Sequence, residues 1–210
     1  MASTQYGFFI NSQICAGCKT CVMACKDKHD LAVGRNYRRV HEITGGDWTR
    51  QGTAWVSQVF AYHLSIACNH CADPACVKAC PTHAHHRRAN GIVEIDRDAC
   101  IGCRLCEQAC PYGAPQYDAQ AKKMTKCDFC RADVEQGGAP ACVAACPMRA
   151  IAFGEISDLR ARYGDLSEVF PLVPATQTQP NLVLRAHRDA HKANAQSVPS
   201  TRIAAPEMED

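Results

Sequence analysis

No stretch of this 210-residue sequence approaches the roughly eighteen consecutive apolar residues that a membrane-spanning helix needs. The segment from Met1 to Ile14 lacks a basic n-region followed by a long apolar h-region. The expectation is a chain without an export signal of its own, extrinsic to any membrane, that either stays on the cytoplasmic side or reaches the periplasmic side folded with a signal-bearing partner. Charge of one sign is scarce as well: 23 Lys and Arg stand against 21 Asp and Glu, a net charge of +2, which gives no electrostatic footprint for nucleic acid. Aromatic residues make up only 7% and offer no evident stacking platform for bases. Nothing resembles a catalytic triad, a phosphate loop or a Rossmann fingerprint, so no substrate site is visible and the chain is expected to be non-catalytic on its own.

What the sequence has instead is cysteine, sixteen in all. Cys100, Cys103, Cys106 and Cys110 follow one another at spacings x2, x2 and x3, with Pro111 behind the last. Three thiolates two residues apart can wrap one face of a cubane, and the fourth points away. In two-cluster ferredoxins that fourth Cys ligates the other cluster, so one run serves two clusters. The run recurs as Cys15, Cys18, Cys21 and Cys25, with Lys26 in place of the proline. Two variants complete the set: Cys68, Cys71, Cys76 and Cys80 before Pro81, and Cys127, Cys130, Cys142 and Cys146 before Pro147. Four runs of four use every cysteine, the arithmetic of four 4Fe-4S clusters.

Rival uses of cysteine fit less well. Secreted disulfide scaffolds are short and carry a signal peptide. Zinc sites are built from paired C-x2-C units, not from three ligands in a seven-residue loop with a fourth on x3. With so many residues given to ligands, the clusters themselves are expected to form much of the interior, and the metal-free chain to fold poorly.

An internal repeat relates the runs. Ala75-Cys76-Val77-Lys78-Ala79-Cys80-Pro81 is matched by Ala141-Cys142-Val143-Ala144-Ala145-Cys146-Pro147, so the second and fourth runs are equivalent. The gap between Cys80 and Cys100 resembles that between the two runs of a bacterial ferredoxin. Pairing the inner runs gives Cys68, Cys71, Cys76 and Cys110 on one cluster and Cys80, Cys100, Cys103 and Cys106 on another. The outer runs then supply Cys15, Cys18, Cys21 and Cys146, and Cys25, Cys127, Cys130 and Cys142. Spacing alone also permits the first run to pair with the second and the third with the fourth.

Read in order, Tyr6 to Ile10 is a strand entering the first cysteine loop, and Val22 to His29 a short helix leaving it. Gly45-Gly46-Asp47 is a turn, Trp55 to Leu64 a strand, and Trp48, Trp55, Phe60 and Tyr62 are expected to pack over the clusters. Asn90-Gly91 signals a hairpin before the alternating strand Ile92 to Asp96. His83, His85 and His86 read as a solvated loop, and His70 as a bystander within a cysteine loop. Lys19, Lys26, Arg104, Lys126 and Arg149 lie near ligands, where their charge would raise cluster potentials. Ile151 to Gly154 is a closing strand, and Ser157 to Tyr163 a helix capped by Ser157. Beyond Pro171 the chain reads as extended, its apolar Leu182-Val183-Leu184 lying on a partner.

The fold class expected is α+β, with two ferredoxin-like two-cluster modules in a pseudo-twofold arrangement. The outer module spans 5–26 plus 120–156 and the inner one 60–118. An insertion occupies 27–59, a helix and docking segment 157–190, and a disordered tail 191–210.

Gln5-Tyr6-Gly7-Phe8-Phe9-Ile10, Gly45-Gly46-Asp47-Trp48, Cys68-Asn69-His70-Cys71, Cys110-Pro111-Tyr112-Gly113-Ala114-Pro115-Gln116-Tyr117 and Met124-Thr125-Lys126-Cys127-Asp128 resemble the iron-sulfur subunits of anaerobic dimethyl sulfoxide reductases. The likeness runs from about Gln5 to Leu184 and favours the nested pairing of runs. It implies an electron-transfer subunit that stands between a molybdopterin-containing catalytic chain and a quinol-oxidising membrane anchor. Some relatives replace a ligand in the run corresponding to Cys100 to Cys110; here the run is intact. The same relay in a polysulfide, thiosulfate, tetrathionate or selenate reductase, or a formate dehydrogenase, is the neighbouring reading. A free polyferredoxin carrier is a more distant one, disfavoured by the insertion and the C-terminal extension.

Overall fold

Strand β1 (Tyr6–Asn11) begins the computed structural model, which describes residues 5–197, and leads through the first cysteine loop into helix α1 (Thr20–Lys28). The insertion is a long hairpin with a second hairpin at its tip: β2 (Arg39–Gly45), β3 (Trp48–Gln51), β4 (Ala54–Ser57) and β5 (Phe60–Ile66). β2 and β5 pair antiparallel from Arg39 opposite Ile66 to Gly45 opposite Phe60, and β3 with β4 from Trp48 opposite Ser57 to Gln51 opposite Ala54.

Short elements then frame the cysteine runs: α2 (Ala75–Lys78), the hairpin β6 (His85–Arg87) and β7 (Val93–Ile95), and α3 (Leu105–Ala109). The hairpin β8 (Gln116–Asp118) and β9 (Lys123–Thr125) leads to α4 (Arg131–Glu135), α5 (Ala141–Ala144), β10 (Ile151–Glu155) and α6 (Ile156–Tyr163). The last strand is β11 (Leu182–Arg185).

One sheet joins the two ends of the chain. β1 is its middle strand, antiparallel to β10 and parallel to β11. Phe8 and Ile10 turn to one face, among the cysteines Cys21, Cys25, Cys127, Cys142 and Cys146. Phe9 turns to the other, where α6 covers it and Tyr163 stacks on its ring at 3.8 Å. Period-two alternation thus gives β1 a sulfur-rich face and an aliphatic one. α1 packs against α5 and α2 against α3, so the first and fourth runs lie together, as do the second and third.

Four readings change. The strand expected over Trp55 to Leu64 is broken at Gln58-Val59 into β4 and β5. Trp48 and Trp55 are 60% and 64% exposed, standing at the hairpin tip away from the cysteines, whereas Phe60 and Tyr62 are buried as expected. The cap of α6 is Glu155, with no side-chain cap hydrogen bond, so Ser157 lies inside the helix. Leu182, Val183 and Leu184 are buried in the chain's own sheet, because β1 leaves one edge open and this apolar triplet fills it. Short 3-10 turns at Ala190–Lys192 and Ala195–Ser197 occupy the start of the expected tail, and its remainder from 198 lies outside the described residues.

Candidate metal centres

Each run opens with a Cys-x-x-Cys loop, and in all four the residue before the second cysteine is left-handed: Gly17 at φ +68°, His70 at +42°, Gly102 at +70° and Phe129 at +63°. This turn reverses the chain within one residue and brings successive thiols to the same side. Lys19 at φ +58° and Arg104 at +63°, each just after the second cysteine, are likewise left-handed and serve as N-caps of α1 and α3. His83 at φ +55° and Arg149 at +51°, each three residues past the last cysteine of its run, are also left-handed. Runs one and three share one backbone pattern, and runs two and four another. The second match follows the sequence repeat.

The sixteen thiols gather into four groups. Cys68, Cys71, Cys76 and Cys110 line a recess of about 360 Å³, together with His70, Lys126 and Thr178. Cys80, Cys100, Cys103 and Cys106 line one of about 290 Å³, and Cys15, Cys18, Cys21 and Cys146 one of about 310 Å³. Cys25, Cys127, Cys130 and Cys142 lie close enough to perturb one another's ionisation. These are the four sets of the nested pairing. Cys21 also feels Cys142, and Cys127 feels Cys68, so the first set adjoins the second and the second adjoins the third. The third and fourth are joined through the α2 and α3 segments, which carry cysteines of both.

All sixteen cysteines are free of disulfides. Burial pushes the thiols of Cys25, Cys71 and Cys106 up to about 12 and that of Cys130 up to about 11, and neighbouring thiols push the same way. Four thiols in a dry recess oppose each other's ionisation. Multiply charged iron held among such thiols would reverse that penalty, and thiolate is the donor iron-sulfur clusters take. Directed N–H groups support the fit: Met124 N donates to Cys100 Sγ at 3.5 Å, Ala150 N to Cys146 Sγ at 3.3 Å and His85 N to Cys80 Sγ at 3.4 Å.

His70 is fully buried and accepts from Val93 N at Nδ1, 3.0 Å away, which leaves the proton of the neutral ring on Nε2. Burial, then the charge of Lys126, holds its pKa well below the usual range. His70 lines the third recess, and its Nε2 is a buried donor with no hydrogen-bond partner among the described residues. His85, expected in solvent, is buried at 1% exposure, whereas His83 is exposed. His29, with Nε2 3.4 Å from Cys130 Sγ and 3.8 Å from Asp128, belongs to the second set and makes no separate site.

Of the five basic residues nominated by adjacency, only Lys126 is buried; its Nζ donates to the carbonyls of Val93 and Cys127. Lys19, Arg104 and Arg149 are exposed, and Lys26 turns to the carbonyls of Ala32 and Arg35. No motif points to Arg38, which lies among the thiols of the first two sets. The C-terminal extension also departs from expectation, since it lies on the chain itself. Ala72 N donates to Gln179 O at 2.8 Å, Asp73 N to Thr178 O at 3.1 Å, and Asn181 Nδ2 to His70 O at 2.6 Å, strapping the extension across the loop from Cys68 to Cys76.

The chain is similar in sequence to known proteins. Residues 59–156 match the family described as 4Fe-4S dicluster domain, and residues 12–34 the 4Fe-4S binding domain. The B component of the anaerobic dimethyl sulfoxide reductase of Escherichia coli (strain K12) is 53% identical, over 90% of this chain and 92% of that protein. The B component of the polysulfide reductase of Wolinella succinogenes is 35% identical over 75% of this chain and 80% of that one, and the B component of the sulfite dehydrogenase of Allochromatium vinosum 33% over 89% and 87%. By this likeness along nearly its whole length, the protein belongs to the family of iron-sulfur electron-transfer subunits of anaerobic dimethyl sulfoxide reductases.

Proposed function

We propose that the chain relays electrons through four 4Fe-4S clusters, from a quinol-oxidising membrane anchor to a molybdopterin-containing subunit that reduces dimethyl sulfoxide and related S- and N-oxides. The four thiol sets are the proposed ligand sets, in the order Cys15/Cys18/Cys21/Cys146, Cys25/Cys127/Cys130/Cys142, Cys68/Cys71/Cys76/Cys110 and Cys80/Cys100/Cys103/Cys106. The observation that carries the reading is their contiguity: each set adjoins the next, so one long transfer divides into short steps.

When bound, the clusters supply reversible one-electron chemistry at potentials set by hydrogen bonds, charge and exposure. The chain's own residues do the rest. β1, Phe8 and Phe129 keep water from the middle of the line, and the N–H groups of His85, Met124 and Ala150 are directed at the sulfurs of Cys80, Cys100 and Cys146. The ends are open: Cys18 and Cys103 are exposed, the first sharing its recess with the exposed Met148 and the second with the exposed Ile101, next to Leu105 in the chain. An exposed ligand fringed by apolar side chains suits a docking port for a neighbouring redox subunit. The backbone pattern shared by runs one and three, and that shared by runs two and four, support two ferredoxin-like modules related by a pseudo-twofold. No helix among the described residues is long and apolar enough to cross a membrane, in keeping with an extrinsic role beside an anchor.

The test is an anaerobic affinity isolation from the native host, with co-purifying chains identified and iron, sulfide and molybdenum counted. A large molybdenum-bearing chain together with a multi-spanning membrane protein supports the relay. An iron-loaded chain recovered alone makes it a free carrier, and a catalytic partner of another substrate class moves it to a sister reductase.

A further inference from the structure

Arg38 has no solvent exposure, and no carboxylate pairs with it among the described residues. Its Nη1 donates to Ser65 Oγ at 3.2 Å, and the guanidinium carbon lies 4.5 Å from the centre of the Phe8 ring. Nε and Nη2 meet no nitrogen or oxygen acceptor among the described residues, and the sulfur within the guanidinium's hydrogen-bonding reach is that of Cys142. A buried, permanently charged group with two unused donors is costly unless an anion completes it. The ionisable groups around it are thiols: Cys142 and Cys127 of the second proposed set and Cys21 of the first. Ser65 Oγ also lies 3.6 Å from Cys21 Sγ, and the backbone N–H of Arg38 is directed to the sulfur of Cys25.

We propose that Arg38 is a counter-ion shared by the first and second sites, a positioning residue whose Nε–H and Nη2–H are directed at their sulfur and whose charge favours the reduced state of both. The inference rests on the relay reading above. A cubane with four thiolate ligands gains one negative charge on reduction, so a fixed cation beside it stabilises the reduced form more. Dry surroundings make that preference larger than any exposed Lys19 or Arg149 provides, because water and salt screen those. Lys126 differs in kind. Two backbone carbonyls already occupy its ammonium, whereas the free edge of Arg38 has only sulfur to meet.

The experiment uses the full chain, isolated anaerobically with its partners, as the native sequence, Arg38→Gln and Arg38→Lys. Iron and sulfide are counted, and the cluster signals are followed by electron paramagnetic resonance through a redox titration. Arg38→Gln is expected to lower the reduced-to-oxidised ratio of two of the signals tenfold or more at fixed potential, a shift of about 59 mV for one electron. Arg38→Lys, which keeps the charge, is expected to restore most of it. Unmoved signals in a fully loaded Arg38→Gln chain overturn the proposal, as does a shift confined to one signal or an equal shift in Arg38→Lys.

If Arg38→Gln fails to load, the native chain labelled with guanidino-15N arginine decides the question. Nitrogen coupling on two reduced signals supports the shared contact, and its absence overturns it. A native chain without iron and sulfide instead overturns the relay reading beneath it.

Discussion

Gly17 and Gly102 occupy the same place in their loops and share a left-handed backbone, at φ +68° and +70°. A methyl group meets different obstacles at the two. At Gly17 it would lie 2.4 Å from Nε2 and 2.5 Å from Cδ2 of His63, the far end of a half-buried side chain. At Gly102 it would lie 2.4 Å from the carbonyl oxygen of Lys122, in the turn between β8 and β9. Holding alanine in the left-handed region costs about 1–2 kcal/mol at either site. Overpacking adds about 1–3 kcal/mol, toward the low end where a ring can swing aside and the high end where backbone must move. For a chain of this size each kcal/mol moves the thermal midpoint by about 2–4 °C. Gly17→Ala is therefore expected to lower the temperature at which visible cluster absorbance bleaches by several degrees. His63→Ala on that background returns it to the backbone cost alone. Gly102→Ala has no such rescue and is expected to lose iron from the fourth site during isolation. The assay is anaerobic bleaching with iron and sulfide counted per chain. Equal tolerance at both glycines, or no rescue by His63→Ala, refutes the reasoning.

Two further outcomes follow from burial. Replacing both exposed tryptophans, Trp48→Ser with Trp55→Ser, should leave iron content unchanged and stability within about 0.5 kcal/mol per site, because neither covers the cysteines; early bleaching of the double variant contradicts this. His41 is held neutral, its pKa pushed down to about 4 by burial and then by the charge of Arg39. Its folded pKa lies below the unfolded value of about 6.5, so its contribution is complete above that pH and is lost as pH falls toward 4, a loss on the order of 1 kcal/mol by pH 5 for a partly buried ring. His41→Leu should flatten this difference between pH 7 and pH 5 in bleaching experiments, and an unchanged profile rules it out.

Much of this architecture was legible because cysteine spacing is a geometric constraint. A loop of two residues fixes which thiols face together, and the strand before the first loop and the hairpin at Asn90-Gly91 follow from period and turn chemistry. What was illegible depended on tertiary neighbours. Trp48 and Trp55 have the composition of core residues, yet their hairpin projects past the packed part of β2 and β5. Leu182 to Leu184 reads equally well as a partner-facing patch or an added strand, and only the open edge of β1 decides between them. Arg38 belongs to no motif. Two adjacent arginines announce a surface, and nothing local reveals that one side chain turns in among sulfurs while Arg39 donates to the carbonyls of Tyr112 and Gly113.

The proposed line of sites is not equally stiff along its length. Cys21 and Cys25 lie one turn apart on α1, and Cys142 and Cys146 are spaced alike through α5. Cys76 and Cys80 are related in the same way through α2, and Cys106 and Cys110 through α3. Residues four apart on a helix have Cβ atoms about 5–6 Å apart, which sets the spacing of Cys21 and Cys25, both inside α1. Cys146, Cys80 and Cys110 instead lie at or just past the ends of α5, α2 and α3, so there the helix fixes one cysteine of each pair and the turn that leaves it places the other. Between the second and third sites no helix runs. There Cys127 and Cys68 are neighbours, held by the hydrogen bonds from Lys126 Nζ to Val93 O and from Val93 N to His70 Nδ1 and by packing: the Phe129 ring stacks on His70 at 3.8 Å and lies 4.7 Å from Phe8 and 5.2 Å from Phe153. Phe129→Ala keeps the left-handed backbone at similar cost but removes a fully buried ring, which costs about 3–5 kcal/mol, concentrated at this junction. Transfer between the two halves should slow while transfer within each half persists, read by rapid-mixing reduction of a variant whose iron content is intact. A uniform slowing of all four signals would mean that the junction is no weaker than the helices, and that the two halves move as one body.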